Sequence, residues 1–320
     1  MSDSKRLELF SVCDQAESVG IGGHVRPDGD CVGSCLACYL FLKRKYPDKR
    51  IELFLEKPAE IFCCIAGFDE INSEFPEREP FDVFFVVDCA ADRLGEAESY
   101  FRAAKYTVNI DHHISNENGC GIENVIDVNA SSTAELMYGL IGKENLDAGI
   151  AKAIYIGMIH DTGVFHYSCT SPKTLRIAAD LIEYGFDFPK IIDETFYEKT
   201  YVQNQILGRA VLESFLFMDG KCIVGSISRK TMEFYGAEPK DLDGIVNQLR
   251  ITKGVEVAIF LYETDTLTYK VSLRSCGGVD VARIAAFFGG GGHVRAAGCT
   301  MTGTFHDVVN NLSAEIAKQL

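Results

Sequence analysis

Four short apolar runs without helical period punctuate the first half of the chain, at Val19 to Val25, Ile51 to Leu55, Phe81 to Val87 and Tyr106 to Ile110. Each ends in polar residues. Strands buried on both faces of a parallel sheet read this way, because no solvent face forces alternation. Apolar positions recur at helical spacing over Cys31 to Lys45, Asp92 to Ala104, Ser132 to Ile141 and Ala148 to Ile159. Strand alternating with helix predicts a doubly wound, mainly parallel α/β sheet, whose ligands gather at the carboxyl ends of the strands.

From Ser171 to Leu212 the pattern turns helical, with Ser171-Pro172 as a start and Gly185 as a break. Ser214 to Met218 and Cys222 to Ile227 then flank Asp219-Gly220 as a hairpin, and Val255 to Tyr262 with Leu267 to Leu273 form a second strand pair. Helices follow at Val279 to Phe288 and Phe305 to Gln319. The expected division is an α/β domain over 1–195, a helical linker over 196–214 and a smaller α/β domain with a mixed sheet over 215–320. A chain of 320 residues is long enough for two cores, and it shows no internal repeat.

Hydrophobic residues at 47% and charged residues at 24% are ordinary for a soluble protein. The longest uncharged stretch of the first half, Cys31 to Leu42, has 12 residues, short of the ~20 that span a bilayer. Met1 to Arg6 lacks the apolar core of a signal peptide, so the expected location is the cytosol. Twelve cysteines in such a chain read as reduced thiols. Cys31, Cys35 and Cys38 line one helix face, and without a second Cys-x-x-Cys to complete a zinc site they are expected in the core.

The formal charge of −15 is unevenly placed: Phe215 to Leu320 hold 11 basic and 11 acidic residues, the remainder 20 and 35. That argues against a protein that coats long nucleic acid, where phosphate contacts supply most of the affinity. It suits a cation site. Carboxylates and imidazoles cluster where apolar runs end, at His24 to Asp30, at Asp88, at Asp111-His112-His113 and at His160-Asp161-Thr162-Gly163. Each alone reads as a turn, a cap or a core histidine. Together on one sheet edge they repel unless cations neutralise them, and oxygen and imidazole donors favour Mn²⁺ or Mg²⁺ over structural zinc. Two such ions sharing a carboxylate are the usual arrangement for hydrolysing phosphoesters. Near the C-terminus, Gly289 to Gly298 places His293 and Arg295 in a glycine-rich loop, with Arg274 after a strand nearby. Glycine N–H groups such as those of Gly291 and Gly292, with two arginines, suit an anion.

The succession His24, Asp28, Asp30, then Asp88, Asp111 to His113, Asp161 to Gly163 and Gly290 to Gly298 resembles the DHH phosphoesterase superfamily with its DHH-associated C-terminal domain. Within it the chain is similar to the NrnA-type branch of oligoribonucleases and phosphatases of 3′-phosphoadenosine 5′-phosphate (pAp). The resemblance implies that His24, Asp28 and Asp88 hold one Mn²⁺ and that Asp30, Asp88, His112 and Asp161 hold the other, Mg²⁺ or Co²⁺ being substitutes. It implies further that His113 faces the substrate phosphate, that Asp111 orients the motif, and that Arg274, His293 and Arg295 bind the terminal nucleotide. Ser132 and Thr133, in a segment that also resembles the family, are as well explained by helix capping as by substrate contact. The implied substrates are short RNA or mononucleotides, with no long nucleic-acid surface and no membrane segment. A homodimer is one assembly open to it. Two other readings stay open, a soluble phosphodiesterase of cyclic or linear dinucleotides and a nucleotide sensor without turnover. His160 and His166 match no position of the pattern.

Overall fold

The computed structural model describes residues 9–320, so the reading of Met1 to Arg6 lies outside the described residues. The chain forms two compact units that divide between Glu198 and Lys199. The first is built on six parallel strands, β1 (Ser18–Gly22), β2 (Arg50–Phe54), β3 (Ile71–Asn72), β4 (Val83–Val87), β5 (Tyr106–Asp111) and β6 (Glu123–Ile126). Their order is β3-β2-β1-β4-β5-β6. The chain winds outward from β1, returns to place β4 beside β1, and winds outward again. That reversal opens a crevice at the carboxyl ends of β1 and β4, where doubly wound sheets bind ligands. The edge strands β3 and β6 carry no apolar run in the sequence, because β3 has two residues and β6 is mixed polar and half-exposed.

All five residues of β4 are buried, Val83, Phe85 and Val87 in one core and Phe84 and Val86 in another. The larger core packs under α1 (Gly29–Lys45) and helices that follow later in the chain. The opposite layer is thin among the described residues: Leu94, Ala97 and Tyr100, the last on α2 (Glu98–Ala103), pack in one cluster with Phe84 and Val86. The helix expected from Asp92 starts late because Gly95, at φ +59°, breaks the run into two 3₁₀ turns. The remaining helices of this unit are α3 (Thr133–Ile141), α4 (Ala148–Asp161), α5 (Pro172–Ile182) and α6 (Phe188–Ile192), and Gly185 ends α5 at φ +79°. α1 and α4 touch at Gly33, where a Cβ would lie 2.5 Å from the Ala153 carbonyl oxygen.

Cys35 and Cys38 are fully buried free thiols in this core. Replacing both with alanine is therefore expected to leave metal content unchanged and to cost about 1 kcal/mol each, read by chemical denaturation. Stoichiometric zinc that vanishes in the double variant would contradict their core role.

In the second unit α7 (Tyr201–Leu212) packs Ile206 and Ala210 against Ile223 and Leu249, so the segment expected as a linker forms part of a core. Six strands follow, β7 (Phe215–Phe217), β8 (Cys222–Ile227), β9 (Val257–Asp265), β10 (Thr268–Ser275), β11 (Gly291–His293) and β12 (Ala296–Thr302). The order is β11-β12-β10-β9-β8-β7, parallel between β8 and β9 and antiparallel elsewhere. The β7–β8 turn is the expected one: Asp219 and Gly220 both have positive φ, and Lys221 N–H donates to the Met218 carbonyl at 3.1 Å. Between the strands lie α8 (Arg229–Tyr235), α9 (Ile245–Arg250) and α10 (Val281–Phe287), and α11 (Phe305–Ile316) closes the chain. Among the described residues no helix is long and apolar enough to cross a membrane.

Candidate metal centre

The crevice between β1 and β4 collects the acidic clusters. The chain leaves β1 through His24, and Asp28 caps α1 by accepting hydrogen bonds from the backbone N–H of Asp30 and Cys31, both at 3.1 Å. His24 Nδ1 lies 2.9 Å from the Val25 carbonyl, which assigns the ring proton to Nδ1 and turns Nε2 inward. There Nε2 stands 3.6 Å from Asp28 Oδ1 and 3.5 Å from Asp88 Oδ2. Such separations fit donors placed around a common ion about 2.1 Å from each. Asp88 itself sits at φ +64°, a left-handed conformation that a non-glycine residue holds only under constraint. Its N–H is anchored on the Ile110 carbonyl at 2.9 Å.

Asp30 is 1% exposed. The amino end of α3 lies against it: Thr133 N–H donates to Oδ2 at 2.7 Å and Ala134 N–H to Oδ1 at 2.9 Å, joined by Ser34 Oγ at 3.1 Å. Gly157 on α4 leaves the space, since a Cβ there would stand 2.9 Å from Asp30 Oδ1. Thr133 Oγ1 donates to Asp88 Oδ1 at 2.8 Å, while Ser132 caps α3 through Glu135 N–H. Of the two readings of this segment, capping therefore holds for Ser132, and Thr133 holds two carboxylates. Glu135 is buried and accepts from Ser131 and Thr174, pinning α3 to α5. Thr133→Val keeps the shape but removes the hydroxyl. It is expected to weaken the binding of a divalent cation about tenfold, measured by titration.

His112 Nε2 faces three carboxylates, Asp161 Oδ2 at 3.0 Å, Asp88 Oδ1 at 3.8 Å and Asp30 Oδ2 at 3.9 Å. It is buried, and none of them meets it with hydrogen-bond geometry. An orphaned imidazole nitrogen ringed by carboxylates is what a cation site offers. Three overlapping donor groups form here: His24, Cys31 and Asp88; Asp88, His112 and His113; Asp30, His112 and Asp161. Without a cation, protons compensate. Burial, with the charges of Asp88 and Asp161, pushes Asp30 well up, and burial also raises Asp161. Burial opposes charge on His112, but its contact with Asp161 and the charges of Asp30 and Asp88 raise it to about 10. Asp28 goes the other way, to about 2, because contact with His24 and backbone amides outweighs its burial. Metal binding must displace the extra protons, so affinity rises with pH.

Asp111, at the end of β5, is turned from this centre. Its Oδ1 accepts from the N–H of His112 at 2.8 Å and of His113 at 3.2 Å and meets His113 Nδ1 at 2.7 Å, and Asn116 occupies Oδ2 at 2.7 Å. Asn116 is held in turn by Asn109. The bond to Asp111 raises the His113 pKa, and the ring is the most open imidazole of the cluster. His160 belongs to no donor group. It packs edge-on to Phe62 and Phe196 over Gly29, and burial drives it down to about 4, a neutral wedge behind the Asp28–Asp30 turn. Asn109 and Asn116 escape sequence reasoning, and Thr133 and Cys31, read there as cap or substrate contact and as core, are not read as partners of the carboxylates, because hydroxyls, amides and single thiols carry no pattern of their own.

In the second unit the glycine-rich segment is not a loop. Gly291 to His293 form the edge strand β11, and β11 and β12 make a hairpin turning at Val294-Arg295. Glycine is required by the pairing: a Cβ on Gly290 would lie 2.2 Å from the Gly298 carbonyl, and one on Gly292 2.5 Å from that of Ala296. Part of the N–H groups expected to meet an anion are thus spent in the ladder, while an edge strand leaves the alternate ones outward. Arg274 pairs with Ala296 and Ala296 with His293, so Arg274 and His293 share a face, and the Arg295 carbonyl accepts from Ser275 N–H at 3.1 Å. The fold brings Arg274, His293 and Arg295 to one end of this sheet. Arg274 also donates to Asn247 at 3.2 Å.

The family model of the DHH family, N-terminal domain, matches residues 18–158, and that of the DHHA1 domain matches residues 219–320. The chain is similar to the bifunctional oligoribonuclease and PAP phosphatase NrnA of Thermus thermophilus, 32% identical over 88% of this chain and 84% of that one. The protein of the same name from Bacillus subtilis is 29% identical over 92% of this chain and 93% of its own. Among solved structures, an exopolyphosphatase-related protein from Bacteroides fragilis superposes with a TM-score of 0.89 at 27% identity, covering 98% of this chain and 96% of that one.

Proposed function

The chain belongs to the DHH family of phosphoester hydrolases, and from that premise we propose that it hydrolyses short nucleotides in the cytosol, namely pAp and RNA of about two to five nucleotides, with two Mn²⁺ ions. The observation that carries the reading is Asp88, whose two carboxylate oxygens stand 3.5 Å from His24 and 3.8 Å from His112. His24, Asp28 and Asp88 would hold one ion, and Asp30, Asp88, His112 and Asp161 the other, with Asp88 shared. Mg²⁺ or Co²⁺ could substitute. Bound there, the ions supply a water acidic enough to attack at neutral pH and positive charge for the phosphoryl oxygens.

The chain's own residues do the rest. Asp111 fixes the His113 ring through Nδ1 and favours its protonated form, so that the ring would present an N–H to a phosphate oxygen. Thr133 and the amino end of α3 hold Asp30 and Asp88 in place before substrate arrives, a cost of ordering already met in folding. Arg274, His293, Arg295 and the Gly291-Gly292 edge of β11, with its one outward amide, would bind the terminal nucleotide.

The test offers pAp, labelled RNA dimers to pentamers, linear pApA and cyclic di-AMP side by side with Mn²⁺ and ranks kcat/KM. The expected order puts pAp and the short RNAs first. A lead for cyclic di-AMP would move the chain to the dinucleotide phosphodiesterases, and metal uptake with no turnover of any substrate would make it a sensor.

A further inference from the structure

The first metal position has a donor that the reading above leaves unused. Cys31 follows Asp30 in the first turn of α1, and its Sγ, a ring nitrogen of His24 and a carboxylate oxygen of Asp88 all lie within 4.8 Å of one another. All three residues are buried, at 0%, 4% and 1% exposure. Of the twelve free cysteines, Cys31 alone joins such a group among the described residues. Two features hold it there. Its N–H donates to Asp28 Oδ1, which sets the rotation of the first turn of α1. Gly23, just before His24, presents no side chain, and a Cβ at that position would lie 2.3 Å from the Cys31 sulfur. The thiol therefore fills the space between the end of β1 and the helix, on the side of the cluster where His24 meets Asp88.

We propose that Cys31 is a ligand of the first metal position, making it a mixed nitrogen, oxygen and sulfur site that takes a thiophilic divalent ion such as zinc, cobalt or cadmium. The inference rests on the two-metal reading of the centre and adds a choice of metal to it. In the binding step the S–H bond breaks, its proton goes to solvent, and the sulfur lone pair forms the bond to the ion; nothing is oxidised or reduced. Hard ions such as Mn²⁺ and Mg²⁺ gain little from a thiolate, whereas zinc, cobalt and cadmium gain much. The first position should thus favour zinc over Mn²⁺ by a wider margin than the second, which has carboxylates and one imidazole.

The experiment loads the full chain with Co²⁺ anaerobically and reads the thiolate-to-cobalt charge-transfer absorption in the near ultraviolet, in the wild type, Cys31→Ser and Cys31→Ala. Mn²⁺ stoichiometry is counted in parallel by electron paramagnetic resonance. The expected result is a band in the wild type that both variants lose, with zinc affinity reduced about tenfold or more and Mn²⁺ uptake unchanged. No band in the wild type, or an equal band in the variants, overturns the assignment of Cys31. If Mn²⁺ still binds at two ions per chain, the two-metal reading survives that failure. If neither Mn²⁺ nor Co²⁺ binds, both fall.

Discussion

Asp88→Asn is expected to abolish phosphoester hydrolysis, by roughly a thousandfold or more, with the fold intact. Among the described residues Asp88 is the one carboxylate paired with both His24 and His112, so its loss weakens both proposed ion positions together. Asparagine suits the backbone, because it tolerates the left-handed conformation that Asp88 adopts at φ +64° better than other side chains. Its amide oxygen can still accept from Thr133 Oγ1. Removing one of several crowded buried carboxylates also relieves repulsion in the metal-free protein. The apo variant should therefore melt no lower than the apo wild type. A chelator should lower the wild-type Tm, since ions that bind only the folded state stabilise it, and should leave that of the variant unmoved. Near-normal Mn²⁺-dependent turnover by the variant would end the two-metal assignment.

Catalytic efficiency is expected to be highest on pAp and RNA of about two to five nucleotides and to drop by an order of magnitude or more on a 24-mer, because further phosphates find few partners. The first unit carries the charge deficit, and the second, close to neutral, offers Arg274, His293 and Arg295 at one end of its sheet. In the proposed role these side chains would grip a terminal phosphate. They cannot track a long backbone, and each further nucleotide adds little affinity without phosphate contacts. On the proposed role of Arg295, Arg295→Ala should raise KM and also lower kcat, because the lost contact would both bind the phosphate and position the bond to be cut. Steady-state kinetics on a trimer and a 24-mer decide the matter, and equal efficiency on the two would move the chain towards processive exonucleases.

What was legible in the amino-acid pattern follows from burial. β1, β2, β4 and β5 are central and mostly buried strands, so they appear as short, mainly apolar runs, and the ligand-type residues just past them stand out as polar interruptions. Asp28 as a cap and Asp219-Gly220 as a turn depend on neighbours only a few residues away, and local chemistry is written locally. Edge strands escape because half of their surface meets water. The glycine-rich hairpin escapes because glycine, which β11 and β12 need for close backbone approach, is also the residue of loops.

The sequence by itself therefore determined the doubly wound class, the small mixed-sheet second unit and the set of carboxylates and imidazoles available at one sheet edge. Tertiary structure alone decided which of them meet. Packing of α3 against the switch point turned Thr133 and Ala134 onto Asp30 and Asp88, 103 and 45 residues away for Thr133. It likewise set Cys31 beside His24 and Asp88 rather than wholly among the core thiols. The physical reason is range: a hydrogen bond or a ligand contact works over about 3 Å in space and is indifferent to separation along the chain. A single hydroxyl or thiol acquires its partner only when helices and strands have closed around it.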